Sequence, residues 1–188
     1  MRVIAGRARG TNLIAPEGTG TRPTTDRTKE TLFNVLMPDI PDCIFLDLFS
    51  GSGAIAIEAL SRGAKEAHLV EKDKKAVACI RQNLKKTHMD SGEASVYAQD
   101  YTIVLEQFRL EKKQFDIVFM DPPYQKELEK DVLHQLIEKG LLKKDAIVVV
   151  EADLNTDFSY LEELPYRIWK EKRYKTNMHL FFIHDGLE

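Results

Sequence analysis

The sequence predicts an α/β domain built on a mostly parallel sheet with helices on both faces. Three observations carry this. Short apolar runs alternate with segments of helical periodicity from residue 43 to residue 150, the pattern of successive βαβ units. Several of these runs are apolar nearly throughout, as strands covered on both faces are. The last two runs have no helix between them, so they must pair antiparallel, because a parallel return needs a longer crossover. A length of 188 residues suits one domain, 1–188. Within it, 1–25 reads as a hairpin with a basic loop and 26–188 as the core.

The elements follow in chain order. Residues 1–14 read as two short strands around Arg7-Ala8-Arg9-Gly10, and 15–25 as a loop rich in Pro, Gly and Thr. A helix starts near Asp26, with Thr24 or Thr25 as its N-cap. Leu32, Val35 and Leu36 share one face, and Pro38 and Pro41 end it. Residues 43–49 form the first core strand. Residues 53–61 are helical, with Gly63 just past the end. Residues 67–70 are a strand, and 74–87 a helix with Ala76, Val77, Ile80 and Leu84 on one face. A third strand (94–98), a helix (102–110), a fourth strand (115–120), a helix (126–138) and a fifth strand (146–150) complete the alternation. Residues 168–173 and 179–183 are the closing pair.

In such sheets ligands bind beyond the carboxyl ends of the strands, and four of those ends carry chemistry. The first strand runs into Asp47-Leu48-Phe49-Ser50-Gly51-Ser52-Gly53. Gly51 and Gly53 allow a tight turn and a close approach to a ligand, and the next helix offers free N–H groups. Ala56 takes the third small position of a dinucleotide fingerprint, although a plain turn would use the same glycines. Glu71 ends the second strand about 20 residues after Gly51, where an acid commonly accepts from ribose hydroxyls. At the third strand, Asp100 could accept from an adenine amino group, with Tyr101 flanking the ring.

The fourth strand leads directly into Asp121-Pro122-Pro123-Tyr124. Two prolines fix the backbone and donate no N–H, so the Pro122 carbonyl can face the cleft as an acceptor. Asp121 adds a second acceptor and Tyr124 a flat ring. Two acceptors beside a stacking ring are what an exocyclic amine on a planar base requires.

Composition bounds the partners. A net charge of -3 excludes a uniformly basic nucleic-acid coat, yet the basic residues gather at the two ends. Arg2, Arg7, Arg9, Arg22, Arg27 and Lys29 stand near the start; Arg167, Lys170, Lys172, Arg173 and Lys175 near the other end. Arg7, Arg9, Arg22 and Arg27 are expected to line the cleft rim and contact phosphates; Arg22 or Arg27 could instead bind a cofactor carboxylate or anchor the N-terminal loop by ion pairs. No run is long and apolar enough for a membrane helix, and the first residues leave no room for a signal peptide. Cys43 and Cys79 read as core thiols in a reducing cytoplasm. The five histidines are scattered without metal-ligand spacing, so no metal is expected.

Taken together, these residues resemble the Rossmann-like class I methyltransferases that use S-adenosylmethionine. Asp47 to Gly53 is similar to their first cofactor motif, and Asp121 to Tyr124 to the signature of enzymes that methylate exocyclic nitrogens of bases. Arg22-Pro-Thr-Thr-Asp-Arg27-Thr-Lys-Glu30 with Leu32-Phe33-Asn34, and Glu58-Ala-Leu-Ser-Arg-Gly-Ala64, resemble blocks of the RsmD-type bacterial family. That family methylates the N2 amine of a guanine in 16S ribosomal RNA. The likeness covers nearly the whole chain. Ser50 stands where alanine is frequent, and the last strand departs from the family's glycine-containing turn. The resemblance implies a seven-stranded sheet with an antiparallel last strand. It implies cofactor contacts from Asp47, Phe49, Ser50, Gly51, Gly53, Glu71, Asp100 and Tyr101. It places Asp121, Pro122, Pro123 and Tyr124 at the target base. The implied partner is 16S ribosomal RNA, naked or in an assembled small subunit, and the protein is expected to be a cytoplasmic monomer.

On this reading Asp121 and the Pro122 carbonyl accept the amine protons, and Tyr124 stacks on a flipped-out or single-stranded base. Other readings stay open. An adenine-N6 methyltransferase would use the same motif. A nicotinamide oxidoreductase would use the glycine turn but has no need of Asp-Pro-Pro-Tyr. A non-catalytic RNA-binding module would not need the motif intact.

Overall fold

The computed structural model describes residues 1–16, 25–123 and 127–186. Arg22 and Tyr124, both singled out above, lie outside the described residues. The elements are α1 (Asp26–Leu36), β1 (Ile44–Leu48), α2 (Ala54–Ser61), β2 (Glu66–Val70), α3 (Lys74–Lys86), β3 (Ala94–Tyr97) and α4 (Tyr101–Leu110). They continue with β4 (Phe115–Met120), α5 (Leu128–Glu138), β5 (Leu142–Asp153), β6 (Tyr166–Arg173) and β7 (Asn177–His184). The strands make one seven-stranded sheet in the order β3-β2-β1-β4-β5-β7-β6. β1 to β5 are parallel, and β7 is antiparallel to both β5 and β6. The expected fold class is therefore the observed one, and the order reverses between β1 and β4. That switch point is where such sheets bind ligands.

The period of two along each strand sorts the core into two layers. Phe45, Ile117, Val149 and Phe181 pack with Leu32, Phe33, Ile57 and Ile80 of α1, α2 and α3. Leu46, Val118, Val148 and Phe182 pack with Val104, Phe108, Val132 and Leu136 of α4 and α5. Polar caps start the helices where the sequence supplies them. Thr25 accepts from the Thr28 N–H at 3.1 Å, Asp73 from Ala76 at 2.8 Å and Asp100 from Thr102 at 3.2 Å. Among the described residues no helix is long and apolar enough to cross a membrane.

The N-terminal hairpin is a doubled-back segment with a single antiparallel bridge, Arg2 to Asn12, rather than two strands. The Val3 and Leu13 N–H groups donate across the segment to Thr11 and Met1, each at 3.0 Å, but other backbone donors are spent elsewhere. The N–H groups of Ile4 and Ala5 reach the Glu58 carboxylate at 2.8 and 3.0 Å. The Arg7 N–H donates to the Ser61 carbonyl at 2.9 Å and the Ala8 N–H to the Ser61 hydroxyl at 3.0 Å. Gly6 makes this docking possible: a Cβ there would stand 1.7 Å from the Ser61 carbonyl oxygen. Glu58 also pairs with Lys29 Nζ at 3.1 Å and Arg62 Nε at 2.8 Å, all inside a closed charge network.

β5 is longer than the apolar run implied. It extends to Leu142 at one end and Asp153 at the other. The polar residues at both ends hide it in the sequence. At the start its register against β4 is irregular, and at the far end Glu151 to Asp153 pair with Asn177 to His179.

Candidate active site at the carboxyl ends of the strands

The turn after β1 is built from its own side chains. Asp47 is 1% exposed, and its carboxylate accepts from the Ala56 N–H in the first turn of α2 at 3.2 Å. Burial pushes its carboxyl up to about 8, with the Glu71 charge adding to the rise and the Ala56 bond opposing it. The Ser50 hydroxyl donates to the Asp47 carbonyl at 2.7 Å, and the Ser50 N–H to the Val70 carbonyl at 3.1 Å. Ser50 therefore ties the ends of β1 and β2 together. Gly53 caps α2 at φ 75°. A Cβ there would meet Leu69 at 3.0 Å and Ile80 at 3.3 Å, so glycine lets the helix start close against β2 and α3. Phe49 also takes a left-handed backbone, φ 59°, a strained state for a non-glycine residue that clusters at functional sites.

Glu71 meets this turn from β2. It accepts from the Gly51 N–H at 3.0 Å and from the Asp73 N–H at 2.9 Å. The rings of Phe49 and Tyr101 lie 5.3 Å apart and wall the space beyond β1. The Tyr101 hydroxyl donates to Asp131 at 2.8 Å. Asp100 is engaged in capping α4: one oxygen accepts from the Thr102 N–H and hydroxyl, and the other from Lys72 at 3.3 Å.

Asp121 follows β4 on the same edge, half-buried, with Pro122 buried behind it and Pro123 exposed. Burial, then the charges of Glu151 and Asp47, push its carboxyl up to about 8. The neighbour Glu151 was not anticipated. Met120 is in register with Val150, and Glu151 with His179, so Asp121, Glu151 and His179 follow one another on one face. His179 is fully buried. Its Nε2 lies 2.9 Å from Glu151 and its Nδ1 3.2 Å from the Tyr174 hydroxyl. A carboxylate only accepts, so Nε2 is the donor. Asn177 donates to the other Glu151 oxygen. The signal for Glu151 was present: like Asp47, Glu71 and Asp121, it is an acid at the exit of an apolar strand.

The basic residues divide. Arg7 pairs with Glu93, ahead of β3, and its N–H holds the last residue of α2. Both contacts lie at the end of the sheet opposite Asp121. Arg9 belongs to the same turn. The structure therefore does not bring Arg7 and Arg9 to the cleft rim, because the docking of Gly6 on Ser61 holds their turn away. Arg27, in contrast, lines a cleft with Lys172, Tyr174 and Lys175 on the other flank.

The comparisons with known proteins agree with this fold. The family model described as Conserved hypothetical protein 95 matches residues 1–183. The ribosomal RNA small subunit methyltransferase D of Haemophilus influenzae is 40% identical over 153 residues, covering 81% of this chain and 79% of the relative. The protein of the same name from Escherichia coli is 39% identical over 154 residues, covering 82% and 75%. A solved Escherichia coli chain superposes with a TM-score of 0.84 at 34% identity, covering 100% of this chain and 99% of that one. A more distant structure, solved in complex with SAH, shares the fold at 17% identity and a TM-score of 0.70. This chain belongs to the Conserved hypothetical protein 95 family, the family of the ribosomal RNA small subunit methyltransferase D proteins.

Proposed function

We propose that this chain transfers a methyl group from S-adenosylmethionine to the exocyclic N2 amine of a guanine in 16S ribosomal RNA. One observation carries the reading. Asp121 and the donor-free Pro122–Pro123 backbone leave β4 at the switch point, on the edge that also presents the Gly51–Gly53 turn and Glu71. The names of the relatives support ribosomal RNA as the substrate class.

The residues present fit the cofactor. Glu71 spends one lone pair of each oxygen on Gly51 and Asp73, and a carboxylate keeps acceptor capacity beyond that for ribose hydroxyls. Phe49 and Tyr101 offer flat walls for a base. Asp47, Asp121 and Glu151 make an acidic floor suited to a sulfonium cation. When bound, the cofactor supplies an electrophilic methyl group.

The chain does the rest. Asp121 and the Pro122 carbonyl accept the two amine protons, which aims the nitrogen lone pair out of the base plane. The same carboxylate stabilises positive charge developing on that nitrogen. A cation beside Asp121 favours its ionised form, so the group that resists ionisation in the free protein becomes an acceptor in the loaded site. Guanine presents N1–H beside its amine, both donors, and a carboxylate takes both. Alignment at near-attack distance is the remaining contribution. Proton loss follows methyl transfer, with Asp121 or solvent as acceptor.

The test is reaction of 16S ribosomal RNA with isotopically labelled cofactor, followed by nucleoside analysis. Label in N2-methylguanosine is the expected result. Label in N6-methyladenosine would overturn the guanine assignment and favour adenine. Asp121→Ala should lower kcat by about 10²–10³, the loss seen when one preorganised charge-stabilising group is removed.

A further inference from the structure

Arg27, from the N-terminal basic group, meets the basic residues of the other chain end on one flank of the sheet. β6 is the edge strand next to β7, and a β-bulge interrupts their pairing. Ile168 is in register with Phe182, but Lys170 is in register with Phe181, so Trp169 is the extra residue. A one-residue slip moves every later side chain to the other face of a sheet. Before the bulge, Tyr166 and Ile168 share the face of Phe182, with α4 and α5. After it, Lys170 and Lys172 share the face of Phe181 and His179, the face of Asp121 and Glu151. The bulge thus turns two lysines toward α1 and toward the site.

There they line a continuous groove. One part, about 640 Å³, lies between Thr31, Asn34 and Val35 of α1, with Pro38 and the acidic Asp39 just beyond that helix, and Trp169, Lys170 and Lys172. The next part, about 390 Å³, shares Thr31 and Lys172 and adds Arg27 and Tyr174. Tyr174 is the residue whose hydroxyl meets His179, itself bonded to Glu151 beside Asp121. The groove therefore runs from Trp169 to Tyr174, which side-chain contacts through the buried His179 link to Glu151. Among the described residues, no carboxylate pairs with Arg27, Lys170, Lys172 or Lys175. Trp169 is 37% exposed. Its ring meets Phe181 edge-on, and Lys170 Nζ lies 5.3 Å from its centroid, which fixes the indole while part of it stays open.

We propose that this groove seats the single-stranded RNA segment next to the target base, with Arg27, Lys170 and Lys172 on phosphates and Trp169 stacked on a base. Unpaired cations along a track interrupted by an aromatic ring are the recognition elements for single strands. The proposal rests on the RNA-methyltransferase reading above and adds where the RNA lies. Its competitor is local: charges on an exposed edge strand also prevent edge-to-edge aggregation.

Trp169 is the only tryptophan of the chain, so its fluorescence reports on the groove alone. The protein is titrated with a labelled single-stranded oligoribonucleotide from 16S RNA, following both anisotropy and tryptophan emission. Binding should quench Trp169 saturably, with the same midpoint as the anisotropy. Trp169→Ala should weaken binding about 5- to 100-fold, in line with the loss of one base stack, and Trp169→Phe should restore most of it. K170E/K172E should flatten the slope of log K against log salt by at least about 0.7 per lysine lost, whereas K65E, at the opposite end of the sheet, should not. Anisotropy binding with unchanged Trp169 emission would overturn the proposal. So would K170E/K172E protein that aggregates more but binds RNA as before, since the lysines would then only guard the edge. Methylation assays separate the two levels. Wild-type protein that binds the RNA in the groove but methylates no RNA defeats the functional reading and leaves the groove standing. Wild-type and K170E/K172E proteins that methylate equally well defeat the groove and leave the function standing.

Discussion

Asp47 and Asp121 have carboxyls raised to about 8 by burial, each with a neighbouring carboxylate adding to the rise. The sign of the pH effect on stability follows directly. A carboxyl whose folded pKa lies above its unfolded value of about 3.9 contributes stability that is present below the unfolded pKa. That contribution is lost as pH rises through the folded pKa, because the unfolded chain ionises first. Asp121→Asn removes the charge without removing the shape. It should raise the Tm of the ligand-free protein at pH 9 by about 2–4 °C, the shift for roughly 1 kcal/mol at this size. The gain should vanish toward pH 4; an equal gain at both pH values would show that Asp121 is not held neutral. On the proposed mechanism catalysis has the opposite dependence, since the acceptor form is the ionised one. The kcat/KM profile should rise with pH toward a limb near 8 set by the free enzyme, and the limb in kcat should lie lower, because the bound cation favours ionisation.

At the scale of elements, the N-terminal segment, α1 and α2 are joined by one buried charge network. Lys29 and Glu58 are both fully buried. Glu58 takes two backbone N–H groups as well as Lys29 and Arg62. Burial pushes the Lys29 ammonium down, against the pull of Glu58. Lys29→Ala should cost about 3–5 kcal/mol in urea unfolding, because it leaves a buried carboxylate short of a partner. Gly6→Ala should also destabilise strongly, since the clash is with backbone that cannot turn aside. Sequence reading located most of these elements within a few residues, since apolar periodicity and caps such as Thr25 act locally. It misjudged the first strands because Ile4 and Ala5 look like strand residues, and only the distant Glu58 diverts their N–H groups. It cut β5 short because Glu151 and Asp153 look like loop residues until His179 and Asn177 pair with them.

The whole sheet brings together what the chain keeps apart. Asp121, Glu151 and His179 come from three strands and meet through register alone. Glu151→Gln should lower the pH of the Asp121 limb, since a neighbouring charge is gone. His179→Ala should remove the partner that orients Glu151 and lower kcat more than it raises KM. A kcat profile unmoved by either variant would show that the pair is packing only.

The glycine turn, the acids at strand ends, the Asp-Pro-Pro run and the strand–helix alternation are properties of neighbours in sequence. They determined the fold class and singled out most of the residues proposed for the cofactor and base side of the site. The tertiary structure decided the rest: that Arg7 and Arg9 face away, that Glu151 and His179 stand beside Asp121, and that a bulge turns Lys170 and Lys172 toward α1. Those outcomes depend on register and docking between distant segments, and a local pattern carries no information about which distant partner satisfies a given backbone donor or buried charge.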